Sequence, residues 1–230
     1  FTEHLIEGDF TNANSVYATD VDHDGDIDVL GMARGDDDVT WWENDGSESF
    51  TKHLIEGDFD HAYSVYATDI DLDGDVDVLG SARRANTVTW WENDGSESFT
   101  ENPIQTNFDG AETVYAADID GDGDIDILAA SNEDDDIAWW ENTATFTISP
   151  TWTTYSINSA ADGAESVQAA DIDGDGDLDI VAALNGDNQV AWYENDGSPD
   201  AGWTKHTVKD YTSTGMADVF VADIDDDGDL

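Results

Sequence analysis

The amino-acid sequence predicts an all-β fold, namely a β-propeller of four-stranded antiparallel blades with about 50 residues per blade. Three observations lead to this prediction. An acidic nine-residue motif recurs at nearly constant intervals along the 230 residues. Four short segments rich in β-branched and aromatic residues accompany each complete copy, as is typical of strands. Nowhere do apolar residues continue at helical spacing over a stretch long enough for a helix.

The repeated motif reads Asp-x-Asp-x-Asp-Gly-Asp-x-Asp and sets the domain organisation. Complete copies begin at Asp20, Asp69, Asp118 and Asp171, and a fifth begins at Asp223. Residues 1–230 are therefore expected to form a single β-propeller domain or an excerpt of a larger one, with four complete blades plus partial blades at both ends. The blades span approximately 15–55, 64–104, 113–157 and 166–208, with a partial blade at 218–230 and the outer strand of a preceding or closing blade at 1–6.

Composition restricts the class of partner. The chain has 56 acidic residues against six Lys and Arg, which gives a formal net charge of -50. Such a surface repels nucleic acid and anionic membrane faces, so neither is expected as a partner. No apolar run is long enough for membrane insertion, and disulfides are excluded because the chain has no cysteine. The acidic charge indicates that the folded protein binds cations.

The spacing within the motif favours calcium. Ca²⁺ prefers six to eight hard oxygen ligands, and alternating aspartates at positions 1, 3 and 5 let a tight loop direct successive carboxylates inward. Glycine at position 6 permits the sharp turn around the ion. A backbone carbonyl at position 7 and the aspartate at position 9 would complete the shell. An EF-hand is excluded because its position-12 glutamate is replaced, for example by Gly31 and Ala129, and the flanking segments are strands.

The first copy with its flank, residues 20–30, and its counterparts resemble the FG-GAP/VCBS repeat family, whose blades are similar to those of the integrin α-subunit propeller. The resemblance implies one Ca²⁺ per repeat, four or five per chain, in the loop between the first two strands of a blade. It implies as side-chain ligands Asp20, Asp22, Asp24 and Asp28; Asp69, Asp71, Asp73 and Asp77; Asp118, Asp120, Asp122 and Asp126; Asp171, Asp173, Asp175 and Asp179; and Asp223, Asp225 and Asp227 of the incomplete fifth site. Backbone oxygens would come from Asp26, Asp75, Asp124, Asp177 and Asp229.

Other conspicuous residues are expected to be structural. The aromatic pairs at 41–42, 90–91, 139–140 and 192–193 could form platforms for sugars, but packing between blades is favoured because neighbouring residues of a strand point to opposite faces. The histidines at 4, 53 and 206 recur at one place in the fourth strand without convergent partners for zinc or catalysis. The tripeptide Arg34-Gly35-Asp36 matches an integrin-recognition sequence, and we interpret it as a coincidence because the next repeat has Arg83-Arg84-Ala85.

These features favour a non-enzymatic, calcium-binding repeat module of a secreted or cell-surface protein, with a structural, adhesive or ligand-binding role. Its partner would be a protein or glycan on a cell surface or in the matrix, and the incomplete terminal blades could support self-association. Two alternatives remain open: a calcium-dependent carbohydrate-binding lectin and a polysaccharide-degrading enzyme on a propeller scaffold. No catalytic motif is recognisable, but abundant carboxylates make that negative weak.

Overall fold

A computed structural model describes residues 3–144, 150–198, 202–212, 215, 217–224 and 230. The described residues form sixteen β-strands and no helix, so none of them forms a helix long and apolar enough to cross a membrane. The strands are β1 Ala13–Thr19, β2 Asp28–Ala33, β3 Asp38–Asn44, β4 Phe50–Glu56, β5 Ala62–Thr68, β6 Asp77–Ala82, β7 Thr87–Asn93, β8 Phe99–Gln105, β9 Ala111–Ala117, β10 Asp126–Ser131, β11 Asp136–Asn142, β12 Trp152–Asn158, β13 Ala164–Ala170, β14 Asp179–Leu184, β15 Gln189–Glu194 and β16 Thr204–Asp210.

The strands form four separate four-stranded sheets, one for each complete repeat. Within every sheet the four strands follow one another in chain order and pair antiparallel. The register is set by cross-strand apolar pairs, as when Leu30 lies opposite Trp41 and Val29 opposite Trp42. The predicted all-β class and the four strands per repeat are therefore confirmed, with strand ends close to those expected from the sequence.

The chain divides into two compact units. Unit 1 comprises Phe1–Asp69 and Asp73–Phe108 and holds the first and second sheets. Unit 2 comprises Ile70–Leu72 and Asp109–Leu230 and holds the third and fourth sheets. Each unit has its own hydrophobic core between its two sheets.

In unit 1, one face of the first sheet packs on one face of the second. The first sheet contributes Leu30, Met32, Val39 and Trp41, and the second contributes Phe59, Ala62, Val65, Ala67, Val78, Ala82 and Trp91. The ring of Phe59 meets that of Trp91 edge-on, with 4.9 Å between the centroids. Hydrogen bonds fix the lateral position, because Val65 N donates to Ser15 Oγ at 3.2 Å and Asn14 Nδ2 donates to Tyr63 O at 2.9 Å.

In unit 2, the third and fourth sheets pack in the same manner. The core contains Leu128, Ala130, Ile137 and Trp139 from the third sheet, and Ala164, Val167, Ile180 and Ala182 from the fourth. The expectation that the aromatic pairs are packing residues is confirmed, since both members of the first three pairs, and Tyr193, are at most 4% exposed. Trp192 is the exception, because it is half-buried.

The two partial repeats differ from the strands expected of them. Residues 3–6 are not part of a strand, and neither are residues 217–224. In the second segment two backbone amides donate to side chains of β13. Val219 N donates to Ser166 Oγ at 3.2 Å, and Val221 N donates to Gln168 Oε1 at 2.7 Å.

Packing in unit 1 depends on a glycine that faces a methionine. A Cβ atom added to Gly80 would lie 2.1 Å from Met32 Cε and 3.0 Å from Trp91 Cζ3. At the equivalent positions of unit 2, two buried alanines, Ala182 and Ala130, replace this pair. Unit 1 therefore fills this part of its core with a large residue facing a glycine, and unit 2 fills it with two small residues.

We expect Gly80→Ala to lower the free energy of unfolding by about 1–3 kcal/mol, because the added methyl group overpacks the core. In a Met32→Ala background, which reproduces the alanine pair of unit 2, the same substitution should cost much less. Denaturant unfolding of the four proteins in a double-mutant cycle measures the coupling. Strictly additive effects would contradict the proposed compensation.

Candidate functional site: four aspartate loops

Three carboxylates converge in each complete motif. One oxygen from each of the three side chains lies within 4.8 Å of the other two. Positions 1, 3 and 9 form the group in the first, second and fourth repeats, and positions 1, 3 and 5 form it in the third. The four groups are Asp20, Asp22 and Asp28; Asp69, Asp71 and Asp77; Asp118, Asp120 and Asp122; and Asp171, Asp173 and Asp179.

The glycine at position 6 allows each loop to close. Its φ angle lies between 97° and 104° in the four loops, in the region where other residues are strained. Its amide then points back into the loop and donates to Oδ2 of the position-1 aspartate, as Gly25 does to Asp20 at 3.0 Å and Gly176 does to Asp171 at 3.1 Å. One carboxylate oxygen at position 1 is therefore held by the backbone in each loop. The other oxygen also accepts from the backbone in the second and fourth repeats, where Asp69 Oδ1 accepts from Asp73 N at 3.0 Å and Asp171 Oδ1 from Gly174 N at 2.8 Å, but not in the first and third.

In the first and third repeats, the second oxygen has the environment of a metal ligand. Asp20 Oδ1 and Asp118 Oδ1 are both buried and accept no hydrogen bond from the residues that the structure describes. A buried carboxylate oxygen without a partner is costly. A hard cation bound among the converging carboxylates would satisfy it, so the donor set fits Ca²⁺.

The electrostatics of the loops agree with this fit. Burial, followed by the charges of neighbouring carboxylates such as Asp122, raises the pKa of Asp120, and burial likewise raises the pKa of Asp22. Burial raises the pKa of Asp126 to about 7, against two backbone hydrogen bonds that lower it. The ionised loops are therefore unfavourable on their own, and a divalent cation would offset that cost.

The aspartate at position 9 also connects three parts of its sheet. Asp28 is fully buried; its Oδ2 accepts from Val21 N at 2.9 Å and its Oδ1 from Asn44 N at 2.8 Å. It therefore links the loop after β1 to the end of β3 from its own place at the start of β2. Asp126 and Asp179 make the same two bonds in the third and fourth sheets.

The side chains of the aspartates at positions 5 and 7 make further contacts in and beside the loops. Apart from Asp122, the position-5 carboxylates are outside the converging groups. Asp24 Oδ1 instead accepts from Asp26 N at 2.8 Å, which tightens the turn. The position-7 side chain lies against the turn after the third strand, where a Cβ atom on Gly46 would be 2.3 Å from Asp26 Oδ2.

Sequence reasoning missed the asparagine that ends the third strand. Asn44 Nδ2 donates to Ile27 O at 3.0 Å, and Asn44 Oδ1 accepts from Gly46 N at 3.2 Å. The asparagine thereby joins the acidic loop to the next turn, and Asn93 and Asn195 make the same bonds. The signal was present, since Glu-Asn follows the aromatic pair in all four repeats.

The fifth motif is described only in part. Asp223 lies in the described segment, whereas Asp225, Asp227 and Asp229 lie outside the described residues. Its site therefore stays a prediction from the sequence.

The recurrent histidines have packing partners. The ring of His53 stacks on Trp41 with 4.5 Å between the centroids, and its Nε2 lies 2.8 Å from Glu43 Oε2. His206 repeats this arrangement with Trp192 and Glu194. Each pair occupies its own sheet, and neither histidine belongs to a group of three potential metal ligands among the described residues.

Solved structures with a similar fold have different activities. A catalytically inactive virginiamycin B lyase from Staphylococcus aureus with quinupristin matches with a TM-score of 0.58 at 12% identity, covering 88% of this chain and 58% of that one. An exo-β-1,3-galactanase from Phanerochaete chrysosporium with β-1,3-galactotriose matches with a TM-score of 0.51 at 11% identity, covering 86% of this chain and 50% of that one. The chain thus spans between half and three fifths of the length of these proteins, and at such identities the likeness concerns the fold alone.

Sequence families give the stronger assignment. None of the curated protein sequences is similar enough to count as a relative. The model of the FG-GAP-like repeat matches four times, at residues 20–80, 69–129, 118–182 and 171–230, and each match begins at the first aspartate of a motif. The matches overlap without a gap from the first acidic loop to the end of the chain. The chain therefore belongs to the FG-GAP-like repeat family.

Proposed function

We propose that this protein is a calcium-binding repeat module in which one Ca²⁺ stabilises each acidic loop. The observation that carries the proposal is the convergence of three carboxylate oxygens in every complete motif, with a buried, unpartnered oxygen at position 1 in two of them. Calcium would supply a central charge for these oxygens. The remaining residues of the loop, through the glycine at position 6 and the aspartate at position 9, would hold the ligands in place.

The four sheets are proposed to be blades of a β-propeller. This interpretation is supported by the four-stranded antiparallel sheets of consecutive strands and by face-to-face packing within each unit. A role outside the cell follows from the same chemistry, because calcium sites of micromolar or weaker affinity are filled there and empty in a resting cytosol. The module would then present a rigid surface to a protein or glycan partner, without chemistry of its own.

The calcium stoichiometry tests the proposal. Isothermal titration calorimetry of protein freed of metal should give four Ca²⁺ for the complete motifs and up to five if the last motif also binds. Asp20→Ala and Asp118→Ala should each remove one site, because each deletes a ligand oxygen that has no other partner. Glu101→Ala on β8 removes the same charge from an exposed position outside the loops and should leave the stoichiometry unchanged.

Selectivity provides a second readout in the same experiment. Mg²⁺ requires strict octahedral geometry and keeps its waters, so it should bind much more weakly than Ca²⁺ to these carboxylate-rich loops. Absence of saturable Ca²⁺ binding, or a stoichiometry that the loop variants do not change, would refute the proposal.

A further inference from the structure

All three arginines of the chain lie in unit 1, in two neighbouring turns. Arg34 is in the turn between β2 and β3, and Arg83 and Arg84 are in the equivalent turn between β6 and β7. The equivalent turns of unit 2 carry Asn132-Glu133 and Asn185-Gly186 instead. In a chain of net charge -50 with only six Lys and Arg, half of the basic residues are therefore concentrated in one part of one unit.

The backbone brings these two turns together around His61. From the first turn, Asp37 O accepts from Phe59 N at 3.0 Å and Asp37 Oδ1 accepts from His61 N at 2.7 Å. From the second turn, Arg83 N donates to His61 O at 3.1 Å. The short segment before β5 is thus bound on both sides, and the two turns that carry the arginines flank it.

The charges of this group act on one another. Burial, followed by the positive charges of Arg84, Arg34 and Arg83, lowers the pKa of the His61 imidazole, whereas Asp60 acts in the opposite direction. Burial and the three guanidinium groups therefore both disfavour the protonated ring. The same concentration of positive charge that disfavours a proton favours an anion.

Two of the arginines are available to a ligand. Arg34 and Arg84 are exposed, and neither forms an ion pair within the part of the chain that the structure describes. The two acidic residues that follow Arg34 in the first turn hydrogen-bond to the backbone: Asp36 Oδ2 accepts from Thr11 N at 2.6 Å, and Asp37 Oδ1 accepts from His61 N at 2.7 Å. The bond to Asp36 also supports the interpretation of Arg34-Gly35-Asp36 as a coincidence, since its carboxylate is held against the protein.

We propose that Arg34, Arg84 and the intervening His61 form an anion-binding site for a ligand that carries a single carboxylate group. A guanidinium presents paired N–H donors that match the two oxygens of a carboxylate. The total charge of the ligand must be low, because the acidic surface beyond the site repels polyanions. A sugar acid such as a uronate combines the required carboxylate with an otherwise neutral body, so it fits the site better than a highly sulfated or phosphorylated polymer.

The test is a titration of the calcium-loaded full chain with glucuronate, followed by NMR through the backbone amides of the two turns. Saturable shifts at residues 34, 61 and 83–84 are expected with glucuronate and not with glucose, which lacks the carboxylate. Free acetate distinguishes the two sources of the group: equal binding of acetate identifies a general carboxylate site, and tighter binding of glucuronate identifies a sugar-acid site. Both results support the proposal.

The variants Arg34→Gln and Arg84→Gln should each weaken glucuronate binding about tenfold, the contribution of one charge-assisted hydrogen bond. Lys209→Gln removes the same charge from an exposed position on β16 and should leave the affinity unchanged. No saturable binding by the unmodified chain would overturn the proposal, and so would an equal loss in Lys209→Gln, which would show that net charge alone is sensed. Calcium stoichiometry measured on each sample keeps this result separate from failure of the acidic loops.

Discussion

Chelation of calcium is expected to lower the melting temperature of this protein steeply. Without a cation, the carboxylates of each loop are held within 4.8 Å of one another, and their repulsion opposes folding. A ligand that binds only the folded state at about 100 times its dissociation constant contributes about 2.7 kcal/mol per site. For a chain of this size that corresponds to roughly 5–11 °C per site, so loss of four sites should be unmistakable. Thermal unfolding followed by circular dichroism, in calcium and in excess EGTA, measures the difference.

General screening must be separated from specific binding in this experiment. With a net charge of -50, any salt will stabilise the compact state to some degree. The calcium-free sample should therefore be matched in ionic strength with NaCl, and a third sample should contain Mg²⁺. If NaCl or Mg²⁺ restores the melting temperature as fully as Ca²⁺ does, the hypothesis that calcium binding to the loops is coupled to folding is wrong.

Replacement of the buried position-9 aspartate should destabilise the protein even without metal. Asp28→Ala leaves two backbone donors, Val21 N and Asn44 N, without the acceptors that they have at 2.9 Å and 2.8 Å. The bond from Val21 N is buried and that from Asn44 N is partly buried, and a buried donor left unsatisfied costs about 1–3 kcal/mol. Relief of repulsion among the loop carboxylates offsets part of this cost. We therefore expect a net loss of about 2–4 kcal/mol in the free energy of unfolding. Denaturant unfolding in excess EGTA measures it.

The matched control is Asp24→Ala in the same loop. Asp24 is exposed and stabilises only a local turn by accepting from Asp26 N. Asp24→Ala should therefore lower the free energy of unfolding by well under half as much as Asp28→Ala. Working in EGTA removes the contribution of either residue as a metal ligand. Equal destabilisation by the two substitutions would contradict the structural role that we assign to position 9.

The strands and the acidic loops could be predicted because their determinants are local. β-branched and aromatic residues define segments such as β3, and such a segment precedes each motif at the 49-residue spacing of the first three copies. The direction in which an individual carboxylate points is not determined by the neighbouring sequence alone. Asp28 and Asp24 have the same chemistry in the sequence, but only the folded backbone offers Asp28 two amides from separate segments.

The grouping of the arginines shows the same limit at longer range. Arg34 and Arg84 are 50 residues apart, and their proximity to His61 depends on how the second sheet packs on the first. The sequence shows only that both residues lie in turns. Their common environment follows from the stacking of sheets, which no periodicity within one repeat encodes.

The bond between Ser15 Oγ and Val65 N recurs between Ser166 Oγ and Val219 N, both at 3.2 Å. In each case a hydroxyl near the start of one repeat accepts from the backbone of the repeat that follows. Since any residue except proline offers that amide, this bond does not require a particular side chain on the repeat that follows. Lengthening such an array by tandem duplication of the gene segment would therefore need no compensating substitution for this bond.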